Sequence, residues 1–350
     1  MKALAGITVL DLTRLLPGGV ATQRLVEWGA EVIKIEQPGS GDYARIMAPA
    51  VFARTNSGKK SVAIDLKQPR GRELLLSMAE RADVLIEGNR PGVMARLGLS
   101  YPEVCARNPR IIYVSLTGYG QEGPYAGLAG HDINYLALGG VLGLNLPVIP
   151  GIQIADLVGG SMQVELGILL ALQERHQTGR GGHVDVSMFA GVVSLLTVPL
   201  AIHAETGKEV RTGGERLSGA YACYEMYQCA DDRWVAVGAL EPKFWTELCK
   251  RLGCEELVPL QFTEGEQQAA VKARIAGIFK TKPAGVWFEE LRNSDCCVTL
   301  VRTIREVAAE LPADTGPPPP RLGEHSREVL EGWGYSAADL DDFRNTGVIA

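Results

Sequence analysis

Strand-like and helix-like segments alternate through the first third of this sequence, and that alternation narrows the folds open to it. Ile7–Asp11 is an apolar β-type run, Val20–Trp28 has helical spacing and is stopped by Gly29, and Glu31–Ile35 is again apolar and β-branched. Parallel neighbours need a crossover rather than a hairpin turn, so strand, helix and strand in succession imply parallel pairing. The unit recurs as strand Ser61–Asp65, helix Gly71–Ala82 and strand Asp83–Ile86, followed by a further buried strand at Ile111–Leu116. The expected fold class is α/β, a doubly wound domain with an open parallel sheet.

The texture then changes. Met162–Arg175 reads as a helix ended by Gly179, Gly181–Met188 as a strand, and Phe189–Ala204 as one apolar helix. Thr206–Ser218 is polar and Gly-rich and reads as a linker. Strands at Tyr221–Gln228, Trp234–Ala239 and Cys297–Val301, with helices at Lys243–Leu252, Gln267–Phe279 and Ala284–Asn293, predict a smaller α+β domain. Ala313–Pro320 ends in consecutive prolines and reads as an extended linker, and helices follow within Leu322–Glu331 and Ala337–Asn345. The expected division is a large domain over 1–205, a linker over 206–220, a small domain over 221–312, a Pro-rich linker over 313–321, and C-terminal helices over 322–350 that return to the large domain.

Charge and cysteine usage exclude some functions. With 35 basic and 41 acidic residues the formal charge is −6, which gives no global attraction for nucleic acid or anionic lipid. The 7 cysteines form no C-x-x-C and mostly lie in apolar contexts, as reduced core thiols do. No signal peptide is visible ahead of Ile7–Leu10, so a cytoplasmic protein is expected. Phe189–Ala204 is short for a bilayer and contains Pro199 and His203, which favours a buried helix over a membrane span.

The candidate chemistry centres on Gly130–Gly160. His131 and Asp156 each precede an apolar helical pattern, which places both at helix starts where outward N–H groups can hold an anion. Asp156 is equally explained as a helix cap, and Glu241, just before Pro242, as an acid that complements a helix dipole. Leu12-Thr13-Arg14-Leu15-Leu16-Pro17-Gly18-Gly19 follows the first strand in place of G-x-G-x-x-G, so a dinucleotide site is unsupported. Basic residues gather at Lys59, Lys60, Lys67, Arg90 and Arg96. Ligands of open α/β sheets lie outside the carboxyl ends of strands, which makes Lys67 and Arg90 phosphate contacts unless this is simply a solvated basic face.

Several segments together carry a family resemblance. They are Val9-Leu10-Asp11-Leu12-Thr13-Arg14, Gly29-Ala30-Glu31-Val32-Ile33-Lys34-Ile35-Glu36, Lys59-Lys60-Ser61-Val62-Ala63-Ile64-Asp65-Leu66-Lys67 and Ile86-Glu87-Gly88-Asn89-Arg90-Pro91-Gly92. To these belong Gly118–Tyr135, Val237-Gly238-Ala239-Leu240-Glu241-Pro242 and Gly323-Glu324-His325. The sequence resembles the family III CoA-transferases and, within them, most resembles the α-methylacyl-CoA racemases.

That resemblance implies an interlocked homodimer, a Rossmann-like large domain with a small domain, and an acyl-CoA between them. It implies His131 and Asp156 as acid/base groups, Glu241 as the carboxylate partner of His131, and Arg90 and Arg96 as CoA contacts. With Lys67, Asp132 and Tyr135 these complete the expected binding positions. Gln37 stands where racemases can carry an arginine toward the CoA phosphates, and the stretch from Val301 to Ala313 is shorter than in typical members.

The implied reaction removes the α-proton of a 2-methylacyl thioester and returns one to the opposite face. CoA then arrives as part of the substrate, and no metal or redox cofactor is needed. The alternative is CoA transfer between carboxylic acids with Asp156 as nucleophile. This chain has only Arg211-Thr212-Gly213-Gly214-Glu215 in place of the transferases' glycine-rich loop, and its His131 and Glu241 favour the racemase. A non-catalytic acyl-CoA-binding protein is the third reading, which an intact His131, Asp156 and Glu241 oppose.

Overall fold

A computed structural model describes residues 2–312 and 316–350; the first part of the expected Pro-rich linker, 313–315, lies outside the described residues. The chain divides into two compact units. One comprises Met1–Leu142, Leu146–Thr197 and Thr315–Ala350, the other Gly143–Asn145 and Val198–Asp314.

The first unit is built on six strands, β1 (Thr8–Leu12), β2 (Glu31–Glu36), β3 (Lys60–Ala63), β4 (Val84–Glu87), β5 (Ile112–Thr117) and β6 (Gly182–Ser187). They lie in the order β3-β2-β1-β4-β5-β6, and every pair is parallel. Helices cover both faces, so the central strands are apolar on both sides, and β4 and β5 are buried throughout. Strand alternation sorts neighbours into two cores. Leu10, Ile33, Leu85 and Tyr113 point to one, with Leu74, Leu75 and Met78. Val9, Val32, Ile86 and Val114 point to the other, with Leu25 and Ile168.

The C-terminal segment completes the first of these cores with Val329, Leu330, Leu340, Phe343 and Val348. It is also bonded to β3. The Ser61 N–H donates to His325 Nδ1, the His325 N–H donates to the Ser61 carbonyl, and Ile64 bridges Ile349 antiparallel. The proline stretch ahead of it is held through the carbonyls of Pro317 and Pro320, which accept from Ser57 and Arg45.

The second unit carries a three-stranded antiparallel sheet, β7 (Tyr224–Gln228), β8 (Trp234–Gly238) and β9 (Val298–Leu300), in that order. Helices Pro242–Leu252, Gly265–Phe279 and Ala284–Leu291 bury Trp245, Phe279 and Trp287 against it. Cys223, Cys229, Cys249, Cys254 and Cys296 are free thiols within this core.

Two expectations about helices change. Phe189–Ala204 is not one helix but two, Met188–Ser194 and Thr197–Thr206. Pro199 falls in the first turn of the second, where its missing N–H leaves no intrahelical bond unmade. Asp156 does not precede a regular α-helix. It lies in a wide π-helical turn, Ala155–Ser161, that runs straight into the helix Met162–Thr178. The joined run Ala155–Thr178 is long and apolar enough to cross a bilayer by length and composition, a test that core helices also pass.

Candidate active site

A cavity of about 260 Å³ opens in the first unit, lined by the stretch after β1 with the start of the helix Leu15–Glu27 (Thr13–Gly18), the loop after β4 (Gly88–Pro91) and the end of β5 with the residues that follow it (Leu116–Tyr119). His131, Tyr135, Asp156 and Met188 complete its wall. β1 and β4 are neighbours in the sheet but not in the chain, so the cavity sits outside the carboxyl ends at the point where the strand order reverses.

His131 is the N-cap of the helix Asp132–Leu138, in extended backbone, and its N–H donates to Asn134 Oδ1 at 3.0 Å. Tyr135, one turn in, is buried and its hydroxyl donates back to the Gly130 carbonyl at 2.6 Å. The Tyr135 ring passes so close to Gly118 that a Cβ there would overlap it. Tyr119 meets the same ring edge-on with centroids 5.1 Å apart. Burial, and then the charge of Asp156, push the Tyr135 hydroxyl up to about 12, so it acts as a neutral hydrogen-bonding wall.

Asp156 is held by backbone packing. A Cβ at Gly159 would collide with the Met188 carbonyl, so glycine there lets the wide turn lie directly on the helix Met188–Ser194. Ser161 Oγ donates to the Pro17 carbonyl at 2.7 Å, tying the same turn to the first turn of the helix Leu15–Glu27. The Asp156 N–H donates to Asp132 Oδ1 at 3.0 Å. Burial first, and the Asp132 charge second, push the Asp156 carboxyl up to about 6. A carboxyl poised there can both accept and return a proton near neutrality.

Behind the loop after β1 lies a buried charge cluster that the sequence did not disclose. Lys59 Nζ is 3.3 Å from Asp11 Oδ2 and Lys34 Nζ is 3.0 Å from Asp42 Oδ2, with all four side chains buried. Lys59 is therefore turned inward, away from any phosphate. Burial alone would raise the Asp11 carboxyl, but Lys34 and Lys59, with hydrogen bonds from Thr13 and Thr22, pull it down to about 2. Burial pulls Lys59 down to about 8, against the opposing attraction of Asp11. The cluster fixes the loop. Lys34 Nζ donates to the Thr13 carbonyl at 2.9 Å, and the Leu15 N–H donates to the Asp42 carboxylate at 3.1 Å.

Of the expected residues, His131, Tyr135, Asp156 and Arg90 line this one cavity, and Asp132 supports it through Asp156. Lys67 and Arg96 are exposed and do not line it. Gln37 Nε2 donates to Asp65 Oδ1 at 3.1 Å, so its side chain is engaged locally. Glu241 belongs to the second unit, where it caps the helix Pro242–Leu252 and its carbonyl accepts the N–H groups of Phe244 and Trp245. Sequence reasoning missed Arg14 and Asn89, both in the cavity wall. The rule that loops at strand carboxyl ends bind ligands applies to the loop after β1 as much as to the loop of Arg90.

Residues 4–316 match the description "CoA-transferase family III". The chain belongs to CoA-transferase family III. Its relatives in this family include the α-methylacyl-CoA racemase of Homo sapiens, 35% identical across 99% of this chain and 97% of that protein. They also include the acetyl-CoA:oxalate CoA-transferase of Acetobacter aceti, 36% identical across 88% of this chain and 82% of the relative. Among solved structures, a CAIB/BAIF family protein from Brucella suis superposes with a TM-score of 0.79 at 25% identity, covering 94% of this chain and 99% of that one. Family III thus includes both racemases and transferases at similar identity to this chain.

Proposed function

We propose that this protein racemises a 2-methylacyl-CoA through an enolate, with His131 and Asp156 as the paired acid and base. The supporting observation is the Asp156 carboxyl, half-buried, lining the same cavity as His131 and pushed up to about 6. A nucleophilic carboxylate gains from staying ionised, whereas a group that alternately takes and gives a proton works best with its pKa near the working pH. In one direction Asp156 removes the α-proton and His131 protonates the opposite face; in the other the roles exchange. First-turn N–H groups beside His131 hold the enolate oxygen, where fixed dipoles stabilise developing charge. Glu241 is the partner carboxylate of His131 in this reading, an assignment that rests on the resemblance.

CoA belongs to the substrate in this reading, and no further cofactor takes part. The proposal includes a cytoplasmic homodimer, and the exposed apolar run Leu146, Val148, Ile149 and Ile152 supports a partner surface. Sedimentation at nanomolar protein should give a dimer; a monomer would reject that part.

CoA transfer is the competing reading, supported by the transferase relatives. Incubation with acyl-CoA followed by hydroxylamine or borohydride separates the two. The racemase reading expects no trapped adduct at Asp156 and turnover without an acceptor acid. An acyl or CoA adduct at Asp156, with turnover that needs a second carboxylic acid, would replace it with the transferase.

A further inference from the structure

Arg14 is a guanidinium in the cavity wall with no ion-pair partner among the described residues. Nearby cations differ: Lys34, Lys59 and Arg45 each meet a carboxylate. Arg14 is held instead by neutral groups. Nη1 donates to the Tyr43 hydroxyl at 3.0 Å, Nη2 donates to Asn89 Oδ1 at 3.1 Å, and its Cζ lies 5.2 Å from the Tyr43 ring centre. Two of its five N–H groups are thus used, and its charge is uncompensated.

The residues on either side of Arg14 are pinned by buried charges. The Thr13 N–H and Oγ1 donate to Asp11 Oδ1, at 2.9 and 2.5 Å, and Lys34 holds its carbonyl. Leu15 is forced to φ +63°, a region that side chains with a Cβ disfavour, and its N–H is captured by Asp42. A strained backbone stabilised by a buried ion cluster fixes the place from which Arg14 extends.

Arg90, in the same wall, has neither an ion pair nor a side-chain hydrogen bond among the described residues. Both side chains are exposed, but an unanchored guanidinium can follow a distant phosphate. An anchored fork suits a planar carboxylate at a fixed place, close to the reacting carbon.

We propose that Arg14 binds a carboxylate at the far end of the acyl group, so that the site prefers a short acyl-CoA bearing its own acid. This rests on the acyl-CoA reading above but not on the choice between racemisation and transfer. The test uses two thioethers that cannot react, S-butyl-CoA and S-(3-carboxypropyl)-CoA, with free CoA as reference, titrated calorimetrically. The full-length protein should bind the carboxylated thioether about ten-fold tighter than the neutral one, the size of one charge-assisted hydrogen bond. Arg14→Gln should bring that ratio close to one, and Tyr43→Phe, which removes one anchoring bond, should reduce it part-way.

A wild-type ratio of one or less would overturn the proposal, as would a preference that survives Arg14→Gln. An equal loss of affinity for both thioethers and free CoA in Arg14→Gln would also overturn it, by showing that Arg14 grips CoA itself. Failure of the wild-type protein to bind any of the three would reject the acyl-CoA reading on which the proposal stands.

Discussion

Asp132 Oδ1 accepts the backbone N–H of Asp156 at 3.0 Å, which joins the residue after His131 to the wide turn that carries the second proton-transfer group. The bond fixes where Asp156 points, and the charge that makes it helps keep the Asp156 proton on. Asp132 is therefore a positioning residue. In the direction where Asp156 removes the proton, kcat/KM should rise as pH passes through about 6. Asp132→Asn removes a negative neighbour, favours ionised Asp156, and should move that rise to lower pH. The pH profile of the variant checks this; an unmoved profile would show that Asp132 does not tune Asp156.

CoA binding should depend on Arg90 more than on the catalytic pair. Arg90→Ala is expected to raise KM about ten-fold with kcat changed little, because a phosphate contact that is the same in the ground and transition states acts through uniform binding. Arg96→Ala and Lys67→Ala, outside the cavity, should raise KM less. Steady-state kinetics of the three variants decide it, and a fall in kcat alone for Arg90→Ala would remove Arg90 from the binding role.

Stability should depend on the buried pair Asp11 and Lys59. Lys59→Met leaves Asp11 with one fewer compensating cation in a dry site, an effect on the order of 3–5 kcal/mol when a buried pair is broken. The double variant Asp11→Asn, Lys59→Met should lose less than the two single losses together. Urea unfolding at neutral pH measures both. Asp11 also predicts an acid limb. Its folded pKa, about 2, lies below the ordinary 3.8, so its contribution is present above that value and is withdrawn as pH falls from about 4 toward 2.

Packing at the cavity floor gives a separate test. Gly118→Ala drives a methyl group into the Tyr135 ring and should destabilise the fold by about 1–3 kcal/mol, the usual result of overfilling a packed site. Tyr135→Leu in the same chain should recover part of the loss. Denaturation midpoints of the single and double variants check whether the ring is the obstacle.

The parallel sheet was legible because both of its faces are covered. Residues such as Val84-Leu85-Ile86 form an unbroken apolar run only when neighbours on both sides of the sheet exclude water. His131 could be placed at a helix start for the same local reason, since the helix after it begins in sequence as well as in space. The wide turn at Asp156 was not legible, because it depends on Gly159 meeting the Met188 carbonyl, a contact between segments well separated in the chain. Lys59 looked like part of a basic face for a related reason. Its partners Asp11 and Thr22 lie 48 and 37 residues away, and no local pattern reports that a charge is paired at such a distance. Arg14 was overlooked because the loop after β1 lacks a glycine signature, although its place at a strand's carboxyl end was already visible.

The central claim is that His131 and Asp156 move the α-proton of a 2-methylacyl-CoA. A single enantiomer of such a thioester, incubated in D₂O without any carboxylic acid acceptor, tests it by mass spectrometry and chiral analysis. The account predicts deuterium at the α-carbon with interconversion of the two enantiomers, and impairment of both by His131→Ala and by Asp156→Asn. Absence of deuterium across several branched acyl-CoAs, together with an adduct trapped at Asp156, would contradict it.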